Sequence, residues 1–97
     1  STDYSLMKST LKILFADDDL KYSLVLKRFL EREGYEVTYT GNGTMALEQF
    51  PVVKPDLVLL DINMPGLNGF EVAEKIREQD RHVLIFSFPT VPIRTTV

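Results

Sequence analysis

Asp56-Leu57-Val58-Leu59-Leu60-Asp61-Ile62-Asn63-Met64-Pro65-Gly66 is the stretch on which the reading of this chain turns. An apolar run of strand formers delivers one carboxylate, Asp61, to the end of a buried strand. Pro65-Gly66 then turns the chain, and Gly69 opens the next amphipathic segment. In a parallel α/β sheet, ligands bind at the carboxyl ends of the strands. A carboxylate buried there without cations or donors costs several kcal/mol, so packing alone is a poor reason for it. The rest of the chain is read as what supplies its partners.

Upstream, Leu11 to Ala16 (LKILFA) reads as a short buried strand closed by Asp17, Asp18 and Asp19. A helix follows over residues 20–33. Tyr22, Val25, Leu26, Phe29 and Leu30 fall at i, i+3, i+4, i+7 and i+8, which predicts one buried stripe, with Lys21, Lys27, Arg28, Glu31 and Arg32 off it. Asp19 is placed to cap its start, and Gly34 to end it. Tyr35 to Thr40 (YEVTYT) alternates and is rich in β-branched and aromatic residues, as a strand with one drier face requires. Gly41-Asn42-Gly43 is a turn, after which Thr44 is expected to cap a short helix through Met45, Ala46, Leu47 and Phe50, stopped by Pro51.

Downstream, a helix is expected from Asn68 to about Glu78, with Phe70, Val72, Ala73 and Ile76 as its apolar members. His82 to Phe88 (HVLIFSF) reads as a fourth strand. Residues 89–97 hold two prolines and no helical period. Their alternation of Val91, Ile93, Thr95 and Val97 suits an irregular strand, and Pro92 fits only an edge position. The order β-α-β-α-β-α-β implies a parallel sheet with helices on both faces. The domain reading is a polar N-terminal tail over 1–8, one α/β domain over 9–88 and an irregular C-terminal tail over 89–97.

Composition bounds the function. The chain has 97 residues, enough for one domain, and a formal net charge of −3 that offers no basic patch for nucleic acid. It has no cysteine, which excludes disulfides and thiolate metal sites. No apolar run approaches the ~20 residues that a membrane span needs. No signal-peptide pattern is present, so a cytoplasmic location is expected.

The acids carry the chemistry. Asp17 and Asp18 follow the first strand and Asp61 ends the third, and in a doubly wound sheet those two strands are neighbours. Carboxylates brought together there repel, raising one or more pKa values. A hard divalent cation removes the conflict, and Mg²⁺ suits a few carboxylates with retained waters. An Asp beside such an ion can act as a nucleophile toward phosphorus, giving an acyl phosphate. Each acid also has a plainer reading. Asp17-Asp18-Asp19 could serve as a helix cap with favourable helix-dipole charges, and Asp61 could start a turn. The two clusters together at matched strand ends, with Asn63-Met64-Pro65-Gly66 behind, favour the chemical reading. A calcium loop starting at Asp17 is excluded because its twelfth position is Arg28, where a bidentate Glu is required.

Two separated segments, Ile13-Leu14-Phe15-Ala16-Asp17-Asp18-Asp19 and Pro55-Asp56-Leu57-Val58-Leu59-Leu60-Asp61-Ile62-Asn63-Met64-Pro65-Gly66-Leu67-Asn68-Gly69, resemble the receiver domain of bacterial two-component response regulators. The resemblance runs from about Leu11 to Ser87. It implies a flavodoxin-like α/β fold, a doubly wound parallel sheet in the order 2-1-3-4, with the usual fifth strand and last two helices missing. It implies a phosphorelay signalling module rather than an enzyme, with a histidine kinase or phosphotransfer protein as partner. Asp61 would be the phosphoryl acceptor. Asp18 and Asp61 would bind Mg²⁺ directly, with the backbone carbonyl of Asn63 as third ligand and Asp17 acting mostly through metal-bound water. Pro65 and Gly66 would shape the loop after the acceptor, and Ser87 would be the switch hydroxyl.

The chain also departs from the family pattern. No residue matches the Lys that normally closes the fifth strand. Arg94 is the only cation after Ser87 and reads better as a solvated tail residue. Phe88 stands where a small residue is usual. Weaker phosphoryl transfer, an uncovered sheet face and self-association are therefore expected. Two alternatives stay open. One is a degenerate receiver kept for protein contact. The other is a haloacid-dehalogenase-type phosphatase with Asp17 as nucleophile, which has Lys21 where Thr or Val is wanted and leaves Asp61 unexplained.

Overall fold

The structure is a computed structural model that describes residues 10–88 and 91–92, with side chains described for residues 10–87. The elements are β1 (Lys12–Ala16), α1 (Leu20–Arg32), β2 (Glu36–Thr40), α2 (Gly43–Val53), β3 (Leu57–Asp61), α3 (Gly69–Gln79), β4 (Leu84–Phe88) and β5 (Val91–Pro92). They form one sheet in the order β2-β1-β3-β4-β5. The first four strands are parallel, as the βαβ alternation requires. β5 adds two antiparallel residues beside β4, which places Pro92 on the outermost strand. The remaining tail, residues 93–97 with Arg94, lies outside the described residues, as do residues 1–9 and the side chain of Phe88.

Alternation along the strands divides the core in two. Leu14, Ala16, Val58, Leu60 and Ile85 face one way and are at most 3% exposed. They pack with Ala46 and Phe50 of α2 and with Val72, Ala73 and Ile76 of α3. On the other face, Ile13, Phe15 and Val37 are buried with Leu26 and Leu30 of α1.

The predicted stripe of α1 is only partly buried. Leu26 and Leu30 meet the sheet, whereas Tyr22, Val25 and Phe29 are 51%, 69% and 57% exposed. The physical reason is that α1 lies over β1 and β2, and no helix among the described residues covers the flank that Val25 and Phe29 present. Leu84 on β4 is 59% exposed for the same reason. Ser23 instead is fully buried on α1, and its Oγ has no hydrogen-bond partner among the described residues.

The helix ends are chemically specified. Asp19 caps α1 by accepting from the Tyr22 N–H at 3.1 Å. Gly34, at φ +99°, closes it with N–H bonds from Gly34 to the Glu31 carbonyl and from Tyr35 to the Leu30 carbonyl, a Schellman arrangement. For α2 the cap is Asn42, not Thr44: the Asn42 side chain accepts from the Met45 N–H at 2.8 Å. The helix therefore starts two residues early, and Gly43, its first residue, lies against Val72 of α3 and Leu67 just before it. A Cβ there would sit 2.5 Å from Val72 Cγ2 and 3.0 Å from the Leu67 carbonyl oxygen. Pro51 does not stop α2, which continues to Val53 and ends at Lys54 with φ 52°. Pro51 has a fixed φ close to the helical value but no N–H for the Leu47 carbonyl, so the helix loses that bond and runs only two residues further. At α3, Asn68 and Glu71 form a reciprocal capping box, both bonds at 2.9 Å.

Two further contacts set where strands begin. The Lys12 N–H donates to the Asp56 carboxylate and the Asp56 N–H to the Lys12 carbonyl, both at 2.8 Å, a clasp between the starts of β1 and β3. The carboxylate of Asp80 accepts the N–H groups of His82 and Val83 at 2.8 and 3.1 Å. Those bonds hold the Asp80 carboxyl below its usual pKa. They also take the amides of the first two residues expected in β4, so the strand starts at Leu84 rather than His82.

Candidate functional site

β1 and β3 are adjacent, with Ala16 opposite Leu60, so the residues that follow each strand meet at one edge. Asp17, Asp18 and Asp61 converge there, with one carboxylate oxygen from each lying within 4.8 Å of the others. Asp17 is 6% exposed, Asp61 half-buried and Asp18 exposed. Each inner acid accepts a local backbone donor. Asp17 Oδ1 takes the Asp19 N–H at 2.9 Å, and Asp61 Oδ1 takes the Asn63 N–H at 3.1 Å.

The Asp61 carboxyl is pushed up from 3.8 to about 6. Burial is the first cause, and the Asp17 and Asp18 carboxylates add to it, while the Asn63 N–H opposes it. Such a cluster is short of positive charge. Three oxygen donors of this kind are the ligand set of a hard divalent cation that keeps several waters, so the residues fit Mg²⁺.

The loop after Asp61 is held at both ends. Met64 is 7% exposed in the core beneath α2 and α3. The Gly69 N–H donates to the Ile62 carbonyl at 3.0 Å. Gly69 is needed for space, because a Cβ there would lie 2.6 Å from the Asp61 carbonyl oxygen and 2.9 Å from Ile62 Cα. Gly66 is needed for its backbone, at φ +77° in open surroundings. Ser87 is buried near the end of β4, opposite Leu60, so it lies at the same edge of the sheet as the acids.

Other partners of the acids come from β2 and were not anticipated from sequence. The Tyr39 hydroxyl donates to the Asp17 carbonyl at 2.6 Å. The Asp17 N–H donates to the Thr40 carbonyl at 3.2 Å, and the Thr40 hydroxyl to the Phe15 carbonyl at 3.2 Å. The alternation of β2 marked these residues as strand but carried no signal of what their hydroxyls bind.

A parallel doubly wound sheet with acids converging from the ends of β1 and β3 is the architecture of a receiver domain. The sequence model of the response regulator receiver domain family matches residues 13–91, and the chain belongs to that family. Among curated proteins, it is 41% identical over 76 residues to the sensor protein EvgS of Escherichia coli strain K12. It is 34% identical over 74 residues to sporulation initiation phosphotransferase F of Bacillus subtilis strain 168. These alignments take 78% and 76% of this chain but only 6% and 60% of the two relatives. Among solved structures, the response regulator protein TrrA of Thermotoga maritima in complex with Mg²⁺-BeF superimposes with a TM-score of 0.77 at 41% identity, covering 80% of this chain and 68% of that one. TrrA is also similar to this chain as seen in complex with the histidine kinase ThkA, with a TM-score of 0.75 over 80% of this chain and 67% of that one.

Proposed function

We propose that this chain is the phosphoacceptor module of a two-component phosphorelay, taking a phosphoryl group onto Asp61 from the phosphohistidine of a histidine kinase or phosphotransfer protein. The observation that carries this is the convergence of Asp17, Asp18 and Asp61 at one edge of the sheet, where burial and the two neighbouring acids raise the Asp61 pKa. The kinase-bound and Mg²⁺-BeF-bound structures of TrrA support it.

Asp18, Asp61 and the backbone carbonyl of Asn63 would hold Mg²⁺, with Asp17 acting through its waters. The ion supplies neutralisation of the charge that gathers at a transferring phosphoryl group. The chain's own residues do the rest. An Asp61 carboxylate oxygen attacks phosphorus and the P–N bond breaks, its electron pair going to a donor ring already protonated on its other nitrogen, so that neutral imidazole leaves and an acyl phosphate forms. The Asn63 N–H orients that carboxylate by donating to its Oδ1 at 3.1 Å. Ser87, buried at the same edge, is the hydroxyl that senses the new group. The working unit is the α/β domain over 9–88, acting in the cytoplasm as a signalling module rather than a turnover enzyme.

The test is intact-mass spectrometry after incubation with Mg²⁺ and a small phosphoryl donor, beside Asp61→Ala. One Mg²⁺-dependent phosphoryl adduct is expected in the wild type and none in the variant. No adduct in the wild type, with Mg²⁺ binding intact, would favour a receiver retained only for protein contact.

The exposed Val25, Phe29 and Leu84 support self-association through the uncovered part of the sheet face. Sedimentation equilibrium is expected to give a dimer or larger oligomer, and a monomer throughout the concentration range would overturn that.

A further inference from the structure

We infer that Tyr39 is a positioning residue for the acid cluster: from β2, its hydroxyl fixes the peptide between Asp17 and Asp18 and so sets where the two carboxylates of the β1 end begin. The inference rests on the reading of that cluster as a Mg²⁺ site.

Asp17 lies beyond the last residue pair of β1 and β2, Ala16 with Thr40, so the strand ladder no longer dictates its backbone. Two bonds from the end of β2 take over. The Thr40 carbonyl accepts the Asp17 N–H, and the Tyr39 hydroxyl donates to the Asp17 carbonyl at 2.6 Å, the shorter of the two. Peptide planarity means that pinning the Asp17 carbonyl also fixes the Asp18 nitrogen on the same plane. Both peptide planes flanking Asp17 are therefore held, while the Asp17 carboxylate is held separately by the Asp19 N–H.

The hydroxyl is itself well placed to do this. The Tyr39 ring packs on the fully buried Phe15 with centroids 5.6 Å apart and planes at 56°. That contact keeps the ring in place whether or not the hydroxyl is present. Asp18 is exposed and has no such packing, so its backbone is what limits where its side chain can reach. Metal ligands must be held within fractions of an ångström of productive geometry by the groups behind them. Tyr39 is the side chain of β2 that bonds directly to the acidic loop among the described residues.

The experiment compares wild type, Tyr39→Phe and Thr40→Val. Tyr39→Phe keeps the ring and removes the bond to Asp17. Thr40→Val removes a neighbouring bond of similar kind that ends on Phe15 instead. Calorimetric titration with Mg²⁺ at neutral pH should give Tyr39→Phe a Kd raised roughly threefold to tenfold, the effect of one ordinary hydrogen bond. Thr40→Val, which keeps the Thr40 carbonyl that accepts the Asp17 N–H, should lose stability in urea and raise the Kd by less than Tyr39→Phe does. Amide exchange read in the metal-free proteins should be faster at Asp17, whose N–H is bonded to the Thr40 carbonyl beside the lost contact, in Tyr39→Phe than in wild type. A Tyr39→Phe protein that binds Mg²⁺ as wild type does, or loses only stability, overturns the role. A wild type that takes up no Mg²⁺ overturns the metal reading instead, and exchange at Asp17 still decides whether Tyr39 holds the loop.

Discussion

Gly69→Ala should lower the rate of Mg²⁺-dependent phosphoryl uptake by about 100-fold and cost roughly 1–3 kcal/mol of stability. The added methyl would meet backbone on β3's last residue and the one after it, with contacts of 2.6 Å to the Asp61 carbonyl oxygen and 2.9 Å to Ile62 Cα. Neither atom is the end of a flexible side chain, so relief must come from moving the start of α3 away from the end of β3. That motion drags the loop whose Asn63 N–H binds Asp61 and whose Asn63 carbonyl is a proposed metal ligand. Misplacement of reacting groups by about an ångström is enough for a loss of this size. Gly66→Ala is the comparison. Nothing lies near its missing Cβ, so only the positive φ is penalised, at about 1–2 kcal/mol, and the acids stay where they are. Urea unfolding and the initial rate of adduct formation on both variants separate the two causes. Equal labelling rates in Gly69→Ala and wild type would show that the close approach does not position the site.

Mg²⁺ affinity should fall by about tenfold per pH unit as pH drops below 6 and be flat above it, because one proton competes for Asp61. The sign follows from the raised pKa. In the folded chain Asp61 holds its proton up to about 6, against 3.8 for the ordinary group. Between those values the folded state binds more protons than the unfolded state, so the stability of the metal-free protein from this group is full below about pH 4 and is lost as pH rises through 6. Mg²⁺ binds the ionised form and reverses that loss. Asp80 runs the other way. Its pKa is lowered by the His82 and Val83 N–H groups, so its contribution is present above the ordinary value and lost in stronger acid. Titration calorimetry at a series of pH values tests the first statement, and urea unfolding without metal, in wild type and Asp61→Asn, tests the second. The variant should lack the decline between pH 4 and 6. An Mg²⁺ affinity unchanged between pH 5 and 7 would mean that Asp61 is not a ligand.

Much of this was legible in the sequence because several local signals agree. The apolar runs before Asp17 and Asp61 place two acids at strand ends, and the βαβ order makes those strands neighbours. Asp19 and Gly34 mark helix ends through chemistry that needs no tertiary partner, whereas Asn68, expected as the first residue of its helix, is its cap. The misreadings share a cause. Asn42 and Thr44 are both competent caps, and the choice is made by how closely Gly43 approaches Val72 and Leu67. Pro51 reads as a stop, and α2 does end close to it, two residues later at Val53 with Lys54 in the left-handed region. The stripe on α1 gives the apolar side of the helix, yet how much of that side is covered depends on what else lies on the sheet. The Tyr39 bond to Asp17 spans 22 residues and depends on strand register, which composition does not encode.

The clasp between Lys12 and Asp56 sits at the opposite end of β1 and β3 from the acids. The charges that oppose folding are thus gathered at one rim, and a self-satisfied pair of backbone and side-chain bonds closes the other. Substitutions at the clasp can raise or lower the melting temperature with the reactive carboxylates left in place. That gives an engineer a place to adjust robustness separately from signalling.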